Sequence, residues 1–282
     1  MLTRMCFVFG ILIFCLFGCS EDSVLGPGGQ QEGFVTNGNI RIRYKLDLPQ
    51  GDGPFPAVVY GPGSGNISAD FRTITADTEK LLELGFAVMR YDKRGTGESD
   101  GEVVGVSLAN SPETIPLLAA DMNAVLQQLL QQPEIDTDRI GLYGVSQATW
   151  YMPLVAESAP EIKFMIILTG GVMPVGVNIR YEELVRIEGR NIEEAQQLLE
   201  GYSGELGFDP RPPLRAIDIP VLYLLGGQDA NTPFRVNRDG IELLRAEGIN
   251  ITPLTYANGV HLLDGIDFWP DVAQWLDSEM LR

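Results

Sequence analysis

Three residues of this chain have the chemistry of a nucleophile, a general base and an orienting acid: Ser146, His261 and Asp229. In acyl transfer, a serine hydroxyl attacks a carbonyl carbon, a neutral imidazole accepts the serine proton, and a carboxylate fixes the orientation of the imidazole. Because His261 is the only histidine in the sequence, no other imidazole competes as the base. The three residue types therefore predict nucleophilic attack on a carbonyl compound.

Ser146 lies where an apolar run is followed by a helical pattern. Residues 140–143 are typical of a buried strand, and the spacing of Trp150 and Leu154 favours a helix directly after the serine. A strand, a tight turn and a helix in this order raise a serine hydroxyl above the sheet, next to a helix N-terminus whose partial positive charge favours an oxyanion. The pentapeptide is Gly144-Val145-Ser146-Gln147-Ala148, so alanine replaces the last glycine of the usual G-x-S-x-G pattern. An ordinary strand-to-helix turn with a capping serine is the alternative interpretation.

From residue 57 onwards, apolar strands alternate with helical patterns. Such alternation predicts an α/β protein whose mostly parallel sheet is covered by helices on both faces. Strands are predicted over residues 34–36, 39–48, 57–61, 86–91, 140–143, 164–169, 221–225 and 251–256. Helices are predicted before Gly85, over 114–132, from Gln147, over 234–247 and over 268–281. The alternating residues 39–48, preceded by Asn37-Gly38, predict an antiparallel hairpin at the start of the domain.

The predicted fold brings the three candidate residues together. Ser146, Asp229 and His261 each follow a separate predicted strand, and parallel strands place such loops at one edge of the sheet, where ligands bind. Each residue also has a simpler interpretation, because an aspartate after two glycines is usually a turn residue and a lone loop histidine usually lies at the surface. Asp264 and Asp267 are rival acids, since they lie close to His261 in the sequence. The joint position of the three residues behind separate strands favours this set over the rivals.

One interval has no strand pattern and is predicted to be a cap, inserted over the carboxyl ends of the strands. It covers residues 172–214, with helices predicted over 178–188 and 192–201. Its aromatic and aliphatic side chains could either line an acyl pocket or pack the cap onto the domain: Tyr181, Leu184, Val185, Leu198, Leu199 and Tyr202. A disordered insertion is the alternative to a folded cap.

Composition argues against several function classes. The sequence of 282 residues has 20 basic and 38 acidic residues and a formal net charge of −18, so its surface is expected to repel nucleic acid and anionic lipid headgroups. All three cysteines lie in the first nineteen residues, which leaves the rest of the chain without a disulfide or a thiolate metal site. One histidine cannot build a zinc site that needs several, so only carboxylate-rich metal sites remain open.

The N-terminus has the pattern of a secretion signal, which we assign to residues 1–18. Residues 7–17 are apolar but too few for a membrane-spanning helix, which needs about 20 residues. Leu16-Phe17-Gly18-Cys19 resembles a bacterial lipoprotein lipobox, and this resemblance implies cleavage before Cys19 and lipidation of its thiol. We therefore expect an exported protein of the bacterial cell envelope, anchored by lipid alone at the outer membrane or cell surface, with residues 19–32 as a flexible tether. The alternative is a plain signal peptide that is cleaved elsewhere.

Five segments together resemble the α/β-hydrolase superfamily, in particular the serine esterases and peptidase-like hydrolases that have a D-x-R-G-x-G-x-S loop. They are Pro62-Gly63-Ser64-Gly65, Asp92-Lys93-Arg94-Gly95-Thr96-Gly97-Glu98-Ser99, Gly144-Val145-Ser146-Gln147-Ala148, Gly226-Gly227-Gln228-Asp229 and His261. The resemblance extends from about residue 39 to the C-terminus apart from the cap, and we assign residues 33–282 to the hydrolase domain. It implies an α/β-hydrolase fold and a reaction that requires no metal or organic cofactor.

The resemblance also implies an oxyanion hole made of two backbone N–H groups. One belongs to Gln147, the residue after the nucleophile, and the other to Ser64 in the first glycine-rich loop. Pro62 has no N–H and cannot be a donor, which favours Ser64. Asp92 and Arg94 are expected to order the end of their strand rather than to act in catalysis.

We therefore predict a serine hydrolase that cleaves small carboxylic esters through Ser146, Asp229 and His261, by way of an acyl-enzyme. A peptidase or other amide hydrolase that acts on short peptides with the same triad is the first alternative, because no feature of the sequence defines the leaving group. A catalytically inactive, lipid-anchored binding protein on the same fold is the second alternative. The presence of Ser146, Asp229 and His261 argues against it, and the departures at Pro62 and Ala148 keep it open.

Overall fold

An eight-stranded sheet forms the centre of the computed structural model, which describes residues 28–279 and 281. The strands are β1 (Gly29–Asn37), β2 (Ile40–Leu48), β3 (Phe55–Gly61), β4 (Ala87–Tyr91), β5 (Ile135–Val145), β6 (Ile162–Leu168), β7 (Val221–Gly226) and β8 (Ile251–Tyr256). Their order across the sheet is β1-β2-β4-β3-β5-β6-β7-β8. β1 pairs antiparallel with β2, and β2 with β4, whereas the other neighbouring strands are parallel. The predicted α/β architecture, with a mostly parallel sheet and an N-terminal antiparallel hairpin, is confirmed.

Helices cover both faces of this sheet. They are α1 (Arg72–Glu83), α2 (Ser111–Leu129), α3 (Ala148–Ser158), α4 (Val175–Glu182), α5 (Ile192–Leu198), α6 (Arg211–Ala216), α7 (Phe234–Ala246) and α8 (Trp269–Ser278). α4 continues directly into a π-helical turn, Glu183–Ile187, and a 3₁₀ turn covers His261–Leu263. Helices α2, α3 and α7 pack on one face, and α1 and α8 pack on the other. Within the described residues, no helix is both long and apolar enough to cross a membrane.

The strands bury side chains on both faces, as a sheet covered on two sides requires. In β3, for example, Ala57 and Val59 contact the core beneath α2 and α3, whereas Val58 and Tyr60 contact the core beneath α1 and α8. All four side chains are buried. The close-packed sheet holds the carboxyl ends of its parallel strands in fixed positions, and these ends carry the loops of the candidate site.

The first strand begins earlier than the sequence predicts. Residues 29–32 belong to β1 and pair with β2, so the prediction of a flexible tether as far as Glu32 is wrong for this segment. Main-chain hydrogen bonds with β2 define this strand, and they require no alternating apolar pattern in its glycine- and glutamine-rich sequence. The predicted signal peptide, the lipidation site Cys19 and residues 20–27 of the predicted tether lie outside the described residues.

The predicted cap is folded and lies between β6 and β7. α4 with its π-helical turn corresponds to the first predicted helix, α5 corresponds to the second, and α6 follows them. The side-chain oxygen of Asn237 in α7 accepts hydrogen bonds from the N–H groups of Val172 and Met173, at 2.9 and 3.2 Å, which attaches the start of the cap to the main domain. The cap also has a small apolar core of its own, which contains Val177, Tyr181, Leu184, Ala195 and Leu199.

Candidate active site

The turn between β5 and α3, residues 144–148, holds Ser146 in a left-handed backbone conformation with a φ of 51°. We call it the nucleophile turn. Glycine adopts this region at low cost and serine does not, so the turn is strained. The Ser146 N–H donates a hydrogen bond of 2.9 Å to the Leu168 carbonyl at the end of β6, which fixes the turn against the neighbouring strand. The serine side chain is half-buried beside the N-terminus of α3.

Glycine is required at position 144 because the nucleophile turn packs tightly onto α3. A Cβ on Gly144 would lie 1.9 Å from the Met152 sulfur and 2.9 Å from the Ala148 Cβ. A Cβ on Gly61, at the end of β3, would lie 3.0 Å from the same Ala148 methyl group. The departure from the usual G-x-S-x-G pattern is therefore accommodated, since Ala148 fills the space that these two glycines leave open.

Asp229 and His261 form a direct side-chain pair. Nδ1 of His261 lies 2.9 Å from Oδ2 of Asp229. The other carboxylate oxygen accepts hydrogen bonds from the N–H groups of Asn231 and Thr232, at 2.7 and 2.9 Å, which prevents the carboxylate from rotating away. Asp229 is only 2% exposed, and Tyr181 of α4 donates a hydrogen bond of 2.8 Å to its backbone carbonyl.

The rival acids Asp264 and Asp267 are placed differently. Both are exposed, and among the described residues the carboxylate paired with His261 is that of Asp229. The same part of the chain contains no hydrogen bond between Ser146 and His261. The structure thus pairs the acid with the histidine and brings the serine to the same edge of the sheet, without joining serine and histidine directly.

Thr169, the residue after β6, connects the three loops of the site. Its backbone carbonyl accepts a hydrogen bond of 3.1 Å from the Thr232 hydroxyl, in the loop after β7. Its own hydroxyl accepts a hydrogen bond of 3.3 Å from the N–H of Leu262, in the turn after β8. The preceding residue, Leu168, accepts the N–H of the nucleophile turn. One strand end therefore fixes all three loops, and no local pattern around Thr169 predicts this role.

A cavity of about 100 Å³ lies beside the nucleophile turn. The serine and both residues of the predicted oxyanion hole line this space, and the cap closes its opposite side with α4. The main domain contributes, among others, Ser64, Ser146, Gln147 and Trp150. The cap contributes Val175, Asn178, Ile179 and Glu182.

The cap residues that the sequence suggests for an acyl pocket lie elsewhere. Leu198 is exposed, and the other five pack into or against the core of the cap: Tyr181, Leu184, Val185, Leu199 and Tyr202. Successive residues of a helix point about 100° apart, so α4 directs Tyr181 into the cap core and the next residue, Glu182, into the cavity. The cap does line the cavity, but with the other face of its first helix.

Glu182 is an acidic residue of the cavity wall that could not be identified from the sequence. Its carboxylate accepts a hydrogen bond of 3.2 Å from the Asn178 side chain. Partial burial raises the pKa of this carboxyl, and the positive charge of Arg186 counteracts the rise. A glutamate in a helical segment is usually solvated, so its place in the cavity follows from the packing of α4 and has no local sequence signal.

The loop after β3 lies against the nucleophile turn. A Cβ on Gly63 would lie 3.6 Å from the Ser146 Cβ and 3.4 Å from the Val145 carbonyl oxygen. Within residues 28–279, neither the Ser64 N–H nor the Gln147 N–H donates a hydrogen bond to another protein group. Since both residues border the cavity, two unpaired main-chain donors belong to residues beside the serine.

Asp92 and Arg94 order the loop after β4, as the sequence predicts. Asp92 is fully buried, and its carboxylate accepts hydrogen bonds from the N–H groups of Ala69 and Glu98 at 2.7 and 2.9 Å. Arg94 donates two hydrogen bonds of 2.6 Å to the carboxylate of Asp121 in α2. Neither residue lines the cavity, so their role is structural.

Two further buried side chains hold the loop after β3, and sequence reasoning missed both. Nζ of Lys93 donates a hydrogen bond of 2.8 Å to the Gly63 carbonyl and another of 2.8 Å to Oε1 of Gln147. The Tyr151 hydroxyl, in α3, donates a hydrogen bond of 2.7 Å to the Pro62 carbonyl. A lysine in a polar loop and a tyrosine in a helix have no local signature of such contacts.

Comparison with families of known proteins finds a match to one part of the chain. The sequence model of the X-Pro dipeptidyl-peptidase (S15) family matches residues 37–203, which is more than half of the chain. The matched segment contains Ser146 and ends before Asp229 and His261.

The individual proteins compared with this chain share between 11% and 24% sequence identity with it. Acyl-coenzyme A thioesterase 3 of Mus musculus is 24% identical over 206 residues, which cover 68% of this chain and 43% of the relative. The chain therefore spans less than half the length of that thioesterase.

An esterase from Pyrococcus furiosus superposes with a TM-score of 0.68 at 16% identity, covering 94% of this chain and 96% of the esterase. An acylaminoacyl peptidase from Pyrococcus horikoshii superposes with a TM-score of 0.66 at 11% identity, covering 89% of this chain and 42% of the peptidase. At these identities the solved structures show a shared fold.

Proposed function

The chain belongs to the X-Pro dipeptidyl-peptidase (S15) family, and on this premise we propose that it is a serine hydrolase that cleaves small carboxylic esters. The proposal depends above all on the 2.9 Å contact between Nδ1 of His261 and Oδ2 of Asp229, at the sheet edge that also carries the strained Ser146. A carboxylate at Nδ1 leaves Nε2 as the free ring nitrogen, which is the one that a general base uses. Ser146, His261 and Asp229 are thus assigned as nucleophile, base and orienting acid.

The proposed reaction has two stages. Ser146 Oγ attacks the ester carbonyl carbon, its proton passes to Nε2 of His261, and one electron pair of the carbonyl moves onto oxygen. When the tetrahedral intermediate collapses, the bond to the leaving alcohol breaks and His261 returns the proton to the alcohol oxygen. Water then attacks the acyl-enzyme in the same way and releases the carboxylic acid. Hydrogen bonds of a catalytic serine are often formed only when substrate is bound, so we expect the bond between Ser146 and His261 to form at that point.

The unpaired backbone N–H groups of Ser64 and Gln147 are the proposed oxyanion donors. Both residues line the cavity that contains Ser146, and the second lies at the N-terminus of α3, where the helix dipole adds positive potential. Preorganised donors of this kind each contribute about 3 kcal/mol of transition-state stabilisation.

The size of the cavity favours a short acyl group. An engineered apolar cavity of about 150 Å³ is large enough for benzene. The cavity beside Ser146 has a volume of about 100 Å³ and opens to solvent, and an acyl group of a few carbon atoms fits within it. The carboxylate of Glu182 in its wall further disfavours a long apolar chain.

Fluorophosphonate labelling of the full-length protein and of a Ser146→Ala variant tests the proposal. We expect label on the wild type and none on the variant, because the reagent reacts with an activated serine. Ser158→Ala is a matched control, since Ser158 ends the same helix α3 outside the cavity wall, and this variant should label like the wild type. A folded wild type that does not label would favour the inactive binding protein.

A peptidase with the same three residues is the second candidate, and the family membership favours it. An amide bond would be attacked in the same way, so only the leaving group separates the two activities. Hydrolysis of p-nitrophenyl butyrate, butyryl-coenzyme A and alanyl-prolyl-p-nitroanilide by the same preparation distinguishes ester, thioester and peptide substrates. Turnover of the ester without turnover of the anilide supports the esterase, and rapid turnover of the anilide would assign a peptidase.

We also propose that the protein is exported and anchored through lipid on Cys19, on the basis of the sequence pattern in residues 1–19. Mass spectrometry of the mature N-terminus should find an acylated Cys19 as the first residue. A Cys19→Ala variant should remain uncleaved at this site. A mature protein that has no acyl group on Cys19 would contradict the lipid anchor and favour a plain signal peptide.

A further inference from the structure

Lys93 contacts both sides of the proposed oxyanion hole. It lies in the loop after β4 and is only 4% exposed. Its Nζ donates one hydrogen bond of 2.8 Å to the Gly63 carbonyl, in the loop after β3, and one of 2.8 Å to the side-chain oxygen of Gln147, in the nucleophile turn. One ammonium group therefore joins two loops that different strands carry.

The hydrogen bond to Gly63 also determines the direction of a neighbouring N–H. The Gly63 carbonyl and the Ser64 N–H belong to the same peptide unit, which is trans, and in a planar trans peptide the two groups point in opposite directions. Because Lys93 holds the carbonyl on its own side of the loop, the Ser64 N–H must point away from Lys93. A charged donor on the carbonyl also polarises the peptide unit, which strengthens the opposite N–H as a donor.

The second hydrogen bond acts on the other proposed donor. Gln147 supplies its backbone N–H to the oxyanion hole in the proposed function, and its side chain is buried and held by Lys93. This bond resists any movement of Gln147 away from the loop after β3. The distance between the two loops, and hence between the two N–H groups, is thereby fixed.

We propose that Lys93 is a positioning residue that aligns the two backbone donors of the oxyanion hole. Lys93 does not line the cavity, so it acts through Gly63 and Gln147 rather than on the substrate. This inference rests on the proposed function, because it assigns Ser64 and Gln147 to the oxyanion.

The electrostatics of Lys93 agree with such a role. Burial lowers its pKa to about 8, and the negative charge of Asp121 in α2 counteracts the effect. Lys93 is therefore mainly charged at pH 7, although its surroundings disfavour the charge. A buried ammonium group that bonds to two loops of the site stabilises their relative position, which an apolar side chain of similar size would leave unfixed.

Tyr151 offers a matched comparison on the same loop. Its hydroxyl holds the carbonyl of Pro62, the residue before Gly63, at 2.7 Å. That carbonyl shares its peptide unit with the Gly63 N–H, which is not one of the proposed donors. Tyr151→Phe and Lys93→Met therefore both remove a buried donor from adjacent carbonyls, but only the second releases the peptide unit that contains the Ser64 N–H.

The test measures fluorophosphonate labelling rates, ester kinetics and melting temperatures of five full-length proteins: wild type, Lys93→Met, Tyr151→Phe, Gln147→Met and the double variant of Lys93→Met with Gln147→Met. For Lys93→Met we expect the labelling rate and kcat to fall about 100-fold, as when one oxyanion donor is lost, while KM stays within about threefold. Tyr151→Phe should keep kcat within about threefold. Gln147→Met keeps its N–H and loses only the contact with Lys93, so its kcat should fall about tenfold. The kcat of the double variant should be no lower than that of Lys93→Met alone, because both changes remove the same contact.

Several outcomes would overturn the inference. Equal losses of kcat in Lys93→Met and Tyr151→Phe would do so, because general loosening of the loop would explain them. A Lys93→Met variant with a raised KM and an unchanged kcat would also overturn the inference. If Lys93→Met does not fold, Gln147→Met decides, and a kcat equal to that of the wild type rejects the role of Lys93. A wild type that never labels rejects the proposed function together with this inference, whereas equal labelling of wild type and Lys93→Met rejects this inference alone.

Discussion

Two regions of the molecule bury ionisable side chains in different ways: the loops at the carboxyl ends of the strands, and the core between the sheet and helices α1 and α8. In the loops, Lys93 and Asp229 each bond to main-chain groups as well as to one side chain. In the core, Asp77 of α1 accepts a hydrogen bond of 2.6 Å from Tyr60 of β3, and both residues are buried. Bonds to the main chain fix the conformation of loops, whereas a bond between two packed side chains stabilises the contact of a helix with the sheet. We therefore expect changes in the loops to alter catalysis and changes in the core to alter stability.

The largest expected effect is at Asp229, where the loops would lose the orienting acid. Asp229→Asn should lower kcat/KM about 10⁴-fold, because the amide leaves the imidazole in the wrong tautomer. Asp264→Asn is the control, since it alters an exposed acid near His261 and should retain the activity of the wild type. Steady-state ester hydrolysis measures both variants. An equal loss in the two would contradict the assignment of Asp229 and remove the functional contrast between the regions.

A change at Asp77 should have the opposite result, with altered stability and unaltered kcat. Burial raises the pKa of this carboxyl from 3.8 to about 6. The stability that protonated Asp77 contributes is therefore complete below pH 3.8 and is lost as the pH rises through 6. Asp77→Asn stays uncharged, so its free energy of unfolding should exceed that of the wild type by about 3 kcal/mol at pH 8 and hardly at all at pH 4.

Urea unfolding at both pH values, together with ester kinetics at pH 8, checks this expectation for Asp77. The hydrogen bond from Tyr60 can be kept by the asparagine oxygen, so packing should not change. If the free energies of unfolding of the wild type and Asp77→Asn differ equally at pH 4 and pH 8, the Asp77 carboxyl does not titrate between these pH values and the expectation is wrong. A reduced kcat would show that the core under α1 also supports catalysis, and the two regions would then not be separable.

The smallest effect is expected at Ala148, which begins α3 and lies on the other face of the sheet from α1 and α8. Its methyl group packs against Gly61 and Gly144. Ala148→Gly restores the usual last glycine of the turn but removes a buried methyl group and adds backbone freedom, so we expect a loss of about 1 kcal/mol in the free energy of unfolding. Thermal unfolding measures this loss, and kcat/KM should stay within about twofold. A large gain in activity would show that the methyl group distorts the turn.

Much of the fold could be predicted because strands that are buried on both faces are continuous apolar runs. The run at residues 221–225 predicts β7 (Val221–Gly226), which is buried along its whole length, to within one residue, and the pattern at 234–247 predicts α7 (Phe234–Ala246) to within one residue. The position of the candidate catalytic residues could be predicted for a related reason. Each follows a strand, and parallel strands of one sheet end at the same edge.

The contacts that hold the site could not be predicted, because they join segments that are distant in the chain. Lys93 meets Gly63 and Gln147 only once β3, β4 and β5 are aligned in the sheet. On its own, a lysine in a polar, glycine-rich loop is typical of a solvent-exposed position. The choice between the two faces of α4 was open for the same reason, since both Tyr181 and Glu182 have plausible surface and buried positions until the helix is packed.

The hydrogen bond from Tyr181 to the carbonyl of Asp229 has a consequence for protein engineering. The cap starts after β6 and ends before β7, so its length can change without moving a strand. An exchange of the cap must therefore preserve its hydrogen bonds to the main domain, among them the bond from Tyr181 to the acid loop and those of Val172 and Met173 to Asn237. A cap grafted from another hydrolase should preserve the geometry of Asp229 only if it presents a hydrogen-bond donor where the Tyr181 hydroxyl now lies. The positions of Asn178 and Glu182 would then be free to be redesigned for a new substrate.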